Sequence, residues 1–474
     1  MAEARAGGTY QVEPDFAART TVTAAIMWLL AAVTLGLVVH ALELFPGLSF
    51  DLPFLSWGRV RAAADTALVF GWLTTAGFAA AFALLPRLTE VQLHNEVLGA
   101  ATTHFWSAAL TFGIGTSLAG MNQGRPLAEL PSGVDLALGV MLILVLFNAG
   151  VTAVRRRERT LFPAAWYLLA AVLLLPIVFA VGNLPVFSGV TDLIVSGFYQ
   201  NGLELLWLLP VGLAVAHYVV PVETGNPVRS RSVAATGFWT LMFAGGWAGQ
   251  RFAMKGPGPD YLEAIAFGML LVTALPVVSS ASNLFATARG RWALGAQAFG
   301  LRWAAAGLGL LVVWFGLVVV SAVPMVARFV GLTSWSAGLR HMAFYGVFTA
   351  FGFALIYHVY PLMVGRGWAS PALASFHFWA TLGGVAAGAL LLMGSGIVAA
   401  TTTAVAGAAG DPSALDATVR AGVEFQRGFR VLAAVAFGVV AVAQYVFAYN
   451  MFRTSRQGPL VQVLPAAQTT GSHA

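Results

Sequence analysis

The chain has 474 residues, 59% of them hydrophobic and only 9% charged, and its mean hydropathy is +0.81. A soluble domain carries about 25% charged residues, so this composition excludes a soluble globular protein. The absence of cysteine excludes thiolate metal sites, iron–sulfur clusters, covalently attached c-type haem and disulfides. The net charge of +6 sits in loops and speaks for membrane topology, not for nucleic-acid binding.

The first twenty residues mix Glu3, Arg5, Glu13, Asp15 and Arg19, unlike a cleaved signal, which would be basic and then apolar. Apolar runs long enough to cross a bilayer follow at 22–44, 62–85, 97–119, 133–153, 160–182, 191–220, 233–254, 263–286, 300–325, 338–362, 371–398 and 429–452. Unbroken runs of this length form helices, because barrel strands alternate over about 10 residues. The expected organisation is an N-terminal segment 1–20, one transmembrane bundle 21–453 of about twelve helices, and a tail 454–474. An even count puts both termini on one side. Arg87, Arg155, Arg156, Arg157, Arg159, Arg229, Arg231, Arg289, Arg291, Arg366, Arg453 and Arg456 fall in alternate loops on that side, which the positive-inside rule makes cytoplasmic. The longest stretch outside the apolar runs, about Ala399 to Arg427, is small-residue-rich and falls on the periplasmic side. No internal sequence repeat stands out.

Polar residues inside a membrane are functional candidates by default. His40, His104, His217, His341, His358 and His377 lie in or near the spans, but no two of them are three or four apart on one helix face. Each is equally readable as a histidine bonded to a neighbouring helix. Glu204, in the sixth run, needs a partner or a raised pKa. Asp65 reads as a helix cap and Glu43 as a helix end.

Six segments follow one another from about Trp57 to about Gly384: Trp57-Gly58-Arg59-Val60-Arg61, Leu85-Pro86-Arg87-Leu88, Phe238-Trp239, Trp247-Ala248-Gly249, His341-Met342-Ala343-Phe344-Tyr345-Gly346 and Phe376-His377-Phe378-Trp379. In order and spacing this string resembles subunit I of the haem-copper oxidase superfamily, in particular the cbb3-type oxidases and the nitric oxide reductase large subunit. The resemblance implies an all-α bundle of twelve spans in a bacterial inner membrane, with both termini inside. It also implies six histidines holding two haems and a copper. Read across, the low-spin haem ligand of the second helix falls at Ala64, the first copper ligand at Asn201, and the adjacent copper pair at Arg251 and Phe252. The high-spin haem ligand falls at Leu339, and only the second low-spin ligand survives, as His341.

These losses suggest compensation. Arg251 would supply the positive charge of the copper, with Glu204 and Asn201 on the facing helix to satisfy it. Phe252 would fill the volume left by imidazole and metal. The alternative for Arg251 is an interfacial position. Arg59 and Arg61 stand where the family meets haem propionates, or are rim charges. The expectation is a subunit I-like protein without catalysis, free of copper and of haem, acting as a subunit or assembly partner of a respiratory redox complex. A membrane-anchored cytochrome c is the partner suggested by family analogy. The alternatives are a redox subunit keeping one b-type haem on His341, and an ion or proton transporter lined by Glu204 and Arg251.

Overall fold

The computed structural model describes residues 13–252, 256–409 and 412–460. Among them the chain forms α1 (Phe16–Leu44), α2 (Trp57–Thr89), α3 (Glu96–Leu118), α4 (Ser132–Val154), α5 (Pro163–Asn183) and α6 (Gly189–Thr224). It continues with α7 (Arg231–Ala244, extended by the 3₁₀ segment Gly245–Phe252), α8 (Asp260–Thr287), α9 (Phe299–Ser321), α10 (Trp335–Val364), α11 (Pro371–Ala409) and α12 (Pro412–Gln457). A short helix, Pro324–Val330, joins α9 to α10. Ten of these helices are long and apolar enough to cross a membrane; α3 and α7 do not meet that combination. The stretch from Ala399 to Arg427 is not a loop: α11 and α12 run through most of it, with 39 and 46 residues. At 1.5 Å per residue they are about 58 and 69 Å long, well beyond the roughly 30 Å hydrocarbon core. Alanine-rich sequence favours this continuation of the helices.

Burial sorts the helices. The apolar window of α2 is 100% buried, that of α6 83% and that of α10 67%, whereas the other spans lie between 39% and 50%. These three inner helices share further features. Each contains a π-helical stretch, at Ala67–Thr74, Leu203–Leu208 and Met342–Phe348. Each has a proline near its C-terminal end (Pro86, Pro221, Pro361) and a left-handed residue just beyond it (Glu90, Gly225, Gly365). In the π stretches of α2 and α10 a hydroxyl takes up a carbonyl five residues back: Thr75 donates to Phe70 O and Thr349 to Phe344 O.

The outer helices repeat as well. Asn148, Asn283 and Asn450, on α4, α8 and α12, each accept from one backbone N–H and donate to the carbonyl of the same residue: Asn95, Ser230 and Ser370. Thr152, Thr287 and Thr454, one turn on, accept from the N–H of His94, Arg229 and Ala369. Each Asn-x-x-x-Thr pair thus clamps the start of α3, α7 or α11. The bundle is three successive four-helix units, each contributing one inner helix. The repeat escaped sequence reading because only two residues per unit carry it.

The interior is filled by aromatic rings seated over glycines. Trp207 lies over Gly77, Trp28 over Gly71, Trp72 over Gly352, and Phe351 between Gly212 and Gly307. A gap remains among α2, α6 and α10, beside Leu73, Gly77, Leu208 and Phe351, but its volume is about 20 Å³. A methyl group added at Gly77 would meet Trp207 at 2.5 Å. Gly77→Ala should therefore lower stability by about 1–3 kcal/mol through overpacking, whereas Gly139→Ala, with nothing within 4 Å, should be neutral. Thermal unfolding of the purified variants in detergent measures both, and Trp207→Leu in the Gly77→Ala background should restore part of the loss.

Candidate functional site

The residues at the positions where the family resemblance expects metal ligands divide into two groups. The first lies where α6 meets α7. Gly249 approaches the backbone of Phe198 so closely that a Cβ would sit 2.7 Å from its Cα. The resulting contact brings the 3₁₀ end of α7 onto the π stretch of α6, which carries Glu204. Arg251 donates from Nη2 to Glu204 Oε2 and from Nε to Asn201 Oδ1 at 3.2 Å. Asn201 is fully buried and donates its Nδ2 to Gly245 O at 2.5 Å. The side chains of Arg251 and Glu204 are only 10% and 9% exposed, so the guanidinium is enclosed by the protein.

Phe252 departs from the expectation. It is 38% exposed and lies beside the Arg251 guanidinium, whose Cζ is 4.3 Å from the ring centroid. With three residues per 3₁₀ turn, neighbouring side chains point about 120° apart. Arg251 pointing inward therefore turns Phe252 outward, and it fills no interior volume.

The second group lies between α2 and α10. Ala64 is buried and Leu339 half-buried. Asp65 does not cap a helix; it sits inside α2 and faces Arg61 at 3.8 Å and Arg340 of α10 at 3.4 Å. About two turns further along each helix, Trp72 Nε1 donates to Thr349 Oγ1 at 2.9 Å. The two helices are thus tied directly to one another. Arg59 donates to Leu118 O, at the C-terminal end of α3, and Arg61 lies over the Trp57 ring.

His341 is buried, and its Nε2 has no hydrogen-bond partner. That atom faces Gly388 of α11, where a Cβ would be 3.0 Å away. Tyr345 and Phe437 pack against the ring at 5.2 and 6.0 Å between centroids, and Phe437 lies against His40 at 4.9 Å. The space in front of the imidazole is therefore occupied by the α11 backbone and two aromatic rings.

These residues do not fit the family's metal groups. Amide, guanidinium and phenyl offer copper no imidazole. At Ala64 and Leu339 no side chain can ligate iron, and Gly388, Tyr345 and Phe437 pack against His341. Among the described residues no group of three or more His, Cys, Asp or Glu is placed to hold a metal.

The other intramembrane histidines have separate surroundings. His217 bonds Leu213 O and stacks on Tyr167. His358 bonds Glu223 at 2.7 Å. Gln444 Nε2 donates to Thr381 and to Val440 O, leaving its Oε1 to accept from His377 Nε2, while His377 Nδ1 accepts from Tyr357 Oη. His40 lies 3.9 Å from Glu43. His104 is exposed on α3. Sequence reading passed over Glu129, in the α3–α4 loop. Its Oε2 is buried without a partner, and burial followed by the nearby Asp65 charge pushes the carboxyl up to about 7.

Fold and site together define a helical membrane protein of the haem-copper oxidase type. Residues 17–419 match the family model for cytochrome c and quinol oxidase polypeptide I, and the chain belongs to that family. Among its relatives, the cbb3-type cytochrome c oxidase subunit CcoN1 of Stutzerimonas stutzeri is 25% identical over 393 residues, covering 80% of this chain and 81% of the relative. The cytochrome c oxidase subunit 1 homolog (bacteroid) of Bradyrhizobium diazoefficiens is 24% identical over 464 residues, covering 94% and 82%. A cryo-EM structure of a heme-copper terminal oxidase dimer superposes with a TM-score of 0.76 at 14% identity, over 95% of this chain and 85% of that one.

Two measurements probe this geometry. Arg251→Ala leaves Glu204 buried without its cation and should destabilise by about 3–5 kcal/mol, whereas Arg251→Met with Glu204→Leu should recover most of the loss; denaturation in mild detergent reads both. Glu129 binds its proton more tightly folded than unfolded. Its contribution is full below the ordinary carboxylate pKa and is lost as pH rises through about 7. Melting temperatures across pH 5–9 should show Glu129→Gln overtaking the parent protein above neutrality.

Proposed function

We propose that this chain is a non-catalytic member of the family: a metal-free, haem-free subunit or assembly partner of a respiratory redox complex. In this reading it crosses a bacterial inner membrane twelve times, with both termini cytoplasmic. The observation that carries the proposal is the Arg251–Glu204–Asn201 cluster. A fixed cation, at the position the family resemblance assigns to a copper ligand, is neutralised and hydrogen-bonded by groups of the same chain. Reduction of oxygen or nitric oxide by the family's route needs a metal pair, and this donor set offers none.

Two further features support the reading. Asp65 supplies a carboxylate to both Arg61 and Arg340, so these two guanidinium groups have an acceptor within the chain. The glycine-seated rings of Trp72, Trp207 and Phe351 give the inner helices a packed core of their own. A protein built this way acts through its surface, which is why we assign it to a complex; a membrane-anchored cytochrome c is the partner class that family analogy favours.

The second reading keeps one b-type haem on His341, and the unpartnered Nε2 of that residue is the observation in its favour. A transporter reading gains least, because the acid and base it would use are bonded to one another. A reduced-minus-oxidised spectrum with metal analysis of the purified chain separates the readings. The expected result is no α-band and no stoichiometric iron or copper. One haem per chain would establish the second reading, and two haems with copper would overturn the proposal. Purification from mild detergent should bring down membrane-embedded redox subunits in fixed ratio; a chain recovered alone would count against its role in a complex.

A further inference from the structure

The lipid-facing surface carries one large groove of about 990 Å³, bounded by α1, α3 and the ends of α10 and α12. Its floor is a single stripe of α1 from Phe16 to Ala31. At 1.5 Å per residue that stripe is about 22 Å long, close to one leaflet of a bilayer, half of the ~40–45 Å total thickness.

The lining is graded along this length. At the outer end stand Arg19 and Thr20, and beside them His104, whose neighbour Thr103 is bonded to Thr21. None of these is committed to the interior of the fold. Arg19 lies 3.3 Å from the exposed Glu13, with side chains 42% and 75% exposed, a weak pair in such a setting. His104 and Thr20 make no side-chain hydrogen bond among the described residues. Deeper in, the polar groups are already satisfied: Ser107 accepts from Trp28 Nε1, and Thr111 donates to Ser107 O. What they present to the groove, beside Met27 and Ala31, is carbon.

The three-unit architecture shows that this groove is particular to the first unit. Counting nine residues from the clamped positions Asn95, Ser230 and Ser370 gives His104, Trp239 and Trp379. Trp239 and Trp379 are 69% and 68% exposed, so in the other two units an indole covers the corresponding surface. In the first unit an imidazole stands there instead.

We infer that this groove is a site for one phospholipid with an anionic headgroup. Arg19 meets the phosphate, His104 and Thr20 donate to headgroup or ester oxygens, and one acyl chain lies along Ala24, Met27 and Ala31. A fixed cation at the interface attracts anionic lipid over zwitterionic lipid, and an unpaired histidine facing hydrocarbon gains a partner.

The test uses the full chain in nanodiscs with a diazirine-acyl phosphatidylglycerol probe and its phosphatidylcholine counterpart, with adducts mapped by mass spectrometry. The expected result is phosphatidylglycerol labelling concentrated on Met27 and Ala31 and at least tenfold above phosphatidylcholine. Arg19→Gln should reduce it about tenfold, and Glu13→Gln should raise it. His104→Trp, which installs the side chain found in the other two units, should abolish it with the melting temperature unchanged. Equal labelling by both probes, or equal labelling of the Trp239 and Trp379 faces, would overturn the inference. So would labelling that survives His104→Trp, or native-state capture of a polypeptide in the groove in place of lipid. If His104→Trp fails to fold, Arg19→Gln with an Arg229→Gln control decides the outcome.

Discussion

Inside a bilayer a polar group has no bulk water to turn to, so the polar groups in the middle of a helical bundle are held to partners within the protein. That constraint accounts for much of the detail. The asparagine and threonine pairs on α4, α8 and α12 close off the starts of the helices beside them. Thr75 and Thr349 take up carbonyls displaced by the π stretches. Trp72, Trp106 and Trp207 place their indole N–H groups on Thr349, Phe70 O and Thr74, so the largest side chains of the interior also serve as ties between helices.

The same constraint governs the former metal positions. A cation held between two inner elements needs an anion and an acceptor at short range, and Glu204 and Asn201 provide them. An arginine in that place is tolerable only because all three residues occur together. Removing any one would leave the others buried and uncompensated. The three residues form a self-consistent set of interactions, to which Asp65 with Arg340 adds a further pair.

His341 and His217 show where the satisfaction is incomplete. Each retains a buried Nε2 without a partner. For His217 the other nitrogen is bonded to Leu213 O and the ring is stacked. For His341 the close approach of Gly388 fixes the ring instead. Neither nitrogen is needed by the interactions that hold the inner helices together.

The sequence by itself determined that the chain is a helical membrane protein, because apolar length and low charge admit little else, and that α2, α7 and α8 contain no histidine in any register. It also named Arg251, Glu204 and Asn201 as neighbours, since all three follow from one alignment. What only the tertiary structure decided depends on winding and on distant contacts. The 3₁₀ end of α7 turned Phe252 outward, and the approach of α10 made Asp65 a partner of Arg340 where its place near a helix start had suggested a cap. The extended α11 and α12, and the three-unit clamp, were equally out of reach. Helix continuation over most of Ala399–Arg427 was hidden by its mixed polarity, and the clamp is a relation between residues that are tens of positions apart.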